Sequence, residues 1–106
     1  MAVLILPAAQ DDLLSRQEYM LDQWSEPDWM NAEGQIFDKL ALVDEGILDG
    51  APVQELALVG IFEYQCVLTL HHKLVYRRIN NDVYVYAIAG QRQDFQTLLM
   101  KRLLKR

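Results

Sequence analysis

KLVYRRINNDVYVYAIAG, residues 73 to 90, decides the fold. Leu74 to Ile79 and Val83 to Ala89 are dense in β-branched and aromatic residues, the types that fit a pleated, half-buried surface. Between them stand Asn80, Asn81 and Asp82, residues that tolerate the positive φ a tight hairpin turn requires. The segment therefore predicts two antiparallel strands with the tip at Asn80-Asn81-Asp82, and Gly90 ending the second strand. Upstream, Phe62, Tyr64, Cys66, Leu68 and Leu70 recur at every second position, with Glu63, Gln65 and Thr69 among the residues between, and predict a further strand, with His71-His72 as a tight polar turn. Downstream, Phe95, Leu98, Leu99, Leu103 and Leu104 return at helical spacing, with Lys101, Arg102, Lys105 and Arg106 near the helix end, where cations complement the dipole.

The N-terminal half reads differently. Residues 2 to 6, AVLIL, form a short apolar run closed by Pro7, as expected of a buried strand. Ala9, Leu13, Gln17, Met20 and Trp24 follow at helical spacing, Leu14 and Leu21 beside them, with Asp11, Asp12, Glu18 and Asp22 on the other face. Ser25-Glu26-Pro27 supplies an N-cap, an acid and an early proline for a second helix, whose stripe is Trp29, Ile36, Phe37, Leu40 and Val43. Gly34 weakens its middle and Gly46 stops it; Asp49-Gly50-Ala51-Pro52 then reads as a loop. The order β-α-α-β-β-β-α predicts a single α+β domain over residues 1–106, with the helical hairpin on one face of a mainly antiparallel sheet and the other face left for the last helix or a partner.

Composition limits the setting. With 52% of its 106 residues hydrophobic, the chain can bury one modest core. No apolar run is long enough to span a bilayer and no basic segment precedes the first one, so neither a membrane span nor a secretory leader is expected. The single cysteine, Cys66, cannot form an intrachain disulfide, and a reducing cytoplasm is the expected location. Net charge is -5, but it is divided: residues 1 to 70 carry 13 acids and only the bases Arg16 and Lys39, whereas eight bases and two acids follow from His71 onward. A partner meets such a local field and not the average, so the basic third suits an acidic partner. Two adjacent histidines on a strand-like turn point apart and no third ligand is suitably spaced, so no metal and no other cofactor is expected.

HKLVYRRINNDVYVYAIAGQRQDF, with the opening LPAAQDDLLSRQEYMLDQW, resembles the RelE/ParE toxin superfamily over nearly the whole chain. The resemblance implies a small toxin of a type II toxin-antitoxin module. Such a toxin is held in a hetero-oligomer by a cognate antitoxin, and acts either by cutting messenger RNA on the ribosome or by poisoning DNA gyrase. For the first activity the family places bases on the strand before the hairpin and on the hairpin's first strand, where they hold phosphate and stabilise developing charge. Here Gln65 and Thr69 stand where bases are expected and only Lys73 matches. Residues 46 to 70 contain no lysine or arginine, and neither tyrosine nor histidine follows Tyr86.

A ribonuclease would therefore rest on Lys73, Arg77 and Arg92 alone, and the ending QRQDF points to the ParE-like, gyrase-binding branch. Gly90 departs from that branch, where many members place histidine. The expected partner-binding residues are Lys73, Arg77, Gln91 and Arg92, with Phe95, Leu99 and Leu103 of the last helix either meeting the antitoxin or docking on the sheet. Arg78 is expected to pair with the acidic helices, Asp94 to cap the last helix, and Tyr76, Tyr84 and Tyr86 to pack across strands. An inactive relative that only binds antitoxin is the remaining alternative.

Overall fold

A computed structural model describes residues 2–91 and 95–104. Its elements are β1 (Val3–Ile5), α1 (Pro7–Gln23), α2 (Glu26–Asp44), β2 (Ala51–Pro52), α3 (Gln54–Ala57), β3 (Gln65–Leu68), β4 (His72–Ile79), β5 (Asp82–Gly90) and α4 (Phe95–Leu104). One five-stranded sheet runs in the order β1-β5-β4-β3-β2. It is antiparallel except where β1 lies parallel to β5, with Val3 opposite Val83 and Ile5 opposite Val85. The α+β class agrees with the sequence reading. The short β2 falls within the Asp49-Gly50-Ala51-Pro52 stretch expected to be loop, and the single-turn α3 follows in a stretch for which no element was expected, because two- and four-residue elements carry no measurable period.

The β4-β5 hairpin forms as expected, with a narrower tip. Asn80 (φ 53°) and Asn81 (φ 72°) alone make the turn, both left-handed, which is the two-residue geometry that matches strand twist. Asp82 already pairs with Ile79, and its carboxylate accepts the Ala2 backbone N–H at 3.0 Å, fixing the entry of β1.

One irregularity organises the sheet. Val75 pairs with Ala87 but Tyr76 pairs with Val85, so Tyr86 is an extra residue in β5. Before this bulge Val83 and Val85 face α1 and α2; after it Ile88 does, while Tyr86, Ala87 and Ala89 face α3 and α4. The first face buries Ala9, Ile36, Leu40, Val43, Leu74 and Tyr76, and the second buries Val53, Leu56, Val75, Phe95 and Leu99. Both faces are thus covered, and α4 takes the side that the sequence reading left open.

Beyond Val85, where β1 has ended, side chains finish the edge of β5. Asp12 of α1 accepts the Ile88 N–H at 3.0 Å, and Arg102 of α4 donates to the Tyr86 carbonyl at 2.8 Å. The two side chains also meet each other through paired contacts of 2.8 and 2.9 Å. Asp12, read from periodicity as a solvated helix position, is therefore a tie between α1, β5 and α4.

Phe37 and Trp24 are corrections to the helical stripes, being 43% and 47% exposed. The α2 cap is as expected: the Ser25 hydroxyl accepts the Asp28 N–H, and Gly46 (φ 76°) ends the helix. Arg78 donates to the Val43 carbonyl at the end of α2 (2.8 Å) and lies 3.7 Å from Asp49.

Two glycines of α2 and its following loop have opposite expected behaviour. A Cβ on Gly50 would lie 2.6 Å from the Cys66 carbonyl oxygen, and the Gly50 N–H donates to the Tyr76 hydroxyl at 2.8 Å. Gly50→Ala is expected to cost about 1–2 kcal/mol in urea unfolding, because backbone atoms must separate. Gly34 sits inside α2 with open space around it, and Gly34→Ala is expected to add about 0.5–1 kcal/mol in the same measurement.

Candidate functional site

Lys73 and Arg77 do share a face of β4, the face turned toward α3 and α4. Four steps of strand put their Cα atoms about 13 Å apart. Each lies over a ring of its own chain. The Lys73 ammonium is 4.8 Å from the centre of Phe95, and the Arg77 guanidinium is 6.0 Å from that of Tyr64. Tyr64 meets Tyr86 edge to face at 5.0 Å, and burial pushes its hydroxyl pKa up. Burial likewise raises the pKa of the Cys66 thiol, making it a poor nucleophile.

The remaining expected positions divide. Thr69, where a base would belong in a nuclease, is buried, and its hydroxyl accepts the backbone N–H groups of His71 and His72. Phe95 and Leu99 are buried against the sheet, so core docking accounts for them. Gln91 is exposed; its side chain donates to the Thr69 carbonyl and its backbone N–H to that of His71. Arg92, Asp94 and the Leu103 side chain lie outside the described residues.

His71-His72 is the clearest correction. The turn is one position earlier, at Leu70-His71, and His72 opens β4 as a fully buried residue. Its Nε2 accepts the Arg16 Nε–H at 3.0 Å, while its Nδ1 has no hydrogen-bond partner among the described residues. Burial first, then the charge of Arg16, then His71 push its pKa down to about 4, so the ring is neutral near pH 7.

Arg16 is the residue that sequence reasoning missed. It entered only as one of two bases in the acidic half, yet its place is marked: Tyr19 and Met20 stand three and four positions on, so a cation interrupts the apolar side of α1. Its guanidinium stacks on the Tyr19 ring at 4.6 Å and rests on Gly90, where a Cβ would lie 2.8 Å from Cζ. The glycine at this position thus has a local cause. Burial draws the Arg16 pKa below its ordinary value, and no carboxylate among the described residues forms an ion pair with it.

Arg16 lines an open groove of about 700 Å³ with Tyr19, Met20, Trp24, Leu70, His71, Gly90 and Gln91. Trp24 meets His71 edge to face at 4.6 Å and forms one wall. Among the described residues no cluster of three or more His, Cys, Asp or Glu is arranged to hold a metal, and no helix is long and apolar enough to cross a membrane. No protein-family model matches the chain, and no curated protein does.

Proposed function

We propose that this chain is the toxin of a type II toxin-antitoxin module, of the ParE-like kind, which binds DNA gyrase without chemistry of its own and is neutralised by a cognate antitoxin. The sequence resemblance is the starting point. The observation that carries the non-nucleolytic form is the state of the bases: Lys73 and Arg77 are about 13 Å apart on one strand, each set on an aromatic ring. β3 adds none, since it reads Gln65-Cys66-Val67-Leu68. General acid-base cleavage needs groups converging within hydrogen-bond reach of one 2′-hydroxyl. Two separated, ring-supported cations instead suit recognition of an acidic protein surface.

Strong induction in bacteria without antitoxin is expected to arrest growth, inhibit supercoiling and induce the DNA-damage response. A Lys73→Ala, Arg77→Ala double variant is expected to relieve the arrest while keeping its thermal midpoint within a few degrees. Codon-positioned cuts in translated messages would replace this reading with a ribosome-dependent nuclease. Normal growth with abundant folded protein would leave, at most, an antitoxin-binding relative without toxicity.

A further inference from the structure

The groove between α1 and the end of the β4-β5 hairpin is built around one cation. The buried His72 Nε2 holds the Arg16 Nε–H at 3.0 Å, and Gly90 provides the floor on which the guanidinium lies. Holding Nε in this way fixes the plane of the fork. The two terminal nitrogens are left for a ligand, with no carboxylate of the described residues paired to them. A half-buried cation whose charge is disfavoured by burial gains more from an anion than an exposed one does.

The rim defines which anion. Tyr19, Trp24 and Leu70 are large, half-exposed or exposed apolar groups around the cation, and Gln91 adds a polar side chain. A phosphodiester chain would find one cation here, since among the described residues no lysine or second arginine lines the groove. A single carboxylate between apolar neighbours needs only that one.

We propose that this groove binds an acidic side chain of a peptide, the carboxylate taken by the Arg16 fork and the flanking apolar residues lying on Trp24, Tyr19 and Leu70. The site is separate from the Lys73 and Arg77 face, which is turned toward α3 and α4, and it does not depend on the gyrase reading.

The test uses the whole chain and two capped peptides, acetyl-Ala-Leu-Glu-Leu-Ala-amide and its glutamine counterpart, with inorganic phosphate and a single-stranded oligonucleotide as further probes. Binding is followed in proton-nitrogen correlation spectra through the Arg16 Nε–H and the Trp24 indole. The glutamate peptide is expected to saturate with a Kd of about 1 mM, and the glutamine peptide to bind about tenfold more weakly. Arg16→Gln is expected to abolish that difference. So is Gly90→Ala, whose methyl displaces the guanidinium from His72 while the flexible side chain yields without disturbing the sheet. Retained dispersion of the backbone amide signals and cooperative thermal unfolding show that these variants remain folded. Equal binding of the two peptides, no saturable response, or tighter binding of phosphate or oligonucleotide than of the glutamate peptide would overturn the proposal.

Discussion

Asp12→Ala is expected to destabilise the domain by about 3–5 kcal/mol, the cost of leaving one member of a buried ion pair without its partner. The Asp12 and Arg102 side chains are only 13% and 20% exposed, and their two contacts of 2.8 and 2.9 Å have the fork geometry of a guanidinium on a carboxylate. The hydrogen bonds to Asp12 hold the Arg102 pKa above its ordinary value despite burial. Alanine would strand both that cation and the Ile88 N–H, which has the same carboxylate as its acceptor. For a domain of this size each kcal/mol moves the thermal midpoint by roughly 4–8 °C, so the effect is large on any scale. Asp12→Ala combined with Arg102→Met is expected to regain at least about 1 kcal/mol over the single variant, because the unpaired charge is gone. A loss below about 1 kcal/mol for Asp12→Ala, or strong dependence on salt, would place the pair among solvated ones.

This contact also shows what the charge division means. The acidic first 70 residues and the basic remainder are in part each other's partners, through Asp12 with Arg102 and Asp49 with Arg78. The longer elements were legible, because Leu74–Ile79 and Val83–Ala89 are dense in strand-forming residues, the α1 stripe keeps helical spacing as far as Met20, and Asn80-Asn81 has the right turn chemistry. The bulge at Tyr86 was not, since alternation continues through it in sequence and only the pairing register reveals the added residue. His72 illustrates the same limit from the other side. A histidine beside a histidine reads as polar turn, and its burial depends on Arg16, 56 positions away, supplying a donor. Likewise, the local reason for a glycine at position 90, the guanidinium resting on it, comes from another element and is not visible in the strand's own sequence.

Acidification is expected to weaken the fold through His72. In the native chain its pKa lies at about 4, whereas in the unfolded chain it titrates near the ordinary value of 6.5. Between those values the unfolded state binds the proton more strongly, so stability is fully present above about pH 6.5 and is lost as the pH falls through the folded value. The expected loss attributable to this residue between pH 7 and pH 4 is on the order of 2–3 kcal/mol. The groups around the ring act in one direction: the Arg16 guanidinium and His71 both disfavour its protonation, and Trp29 presents its ring at 6.5 Å with no charge to offset them. Urea unfolding at pH 7, 6, 5 and 4, for the wild type and for His72→Gln, isolates the effect, because every other ionisable group is common to both. The variant keeps an amide oxygen to accept the Arg16 Nε–H, is expected to be less stable at pH 7, and is expected to lose less stability on acidification. Parallel pH curves would exclude His72 as the source. Convergence of the two curves toward pH 4 would also tie the groove to proton uptake, since a protonated His72 no longer accepts from Arg16 and the guanidinium loses the contact that orients it.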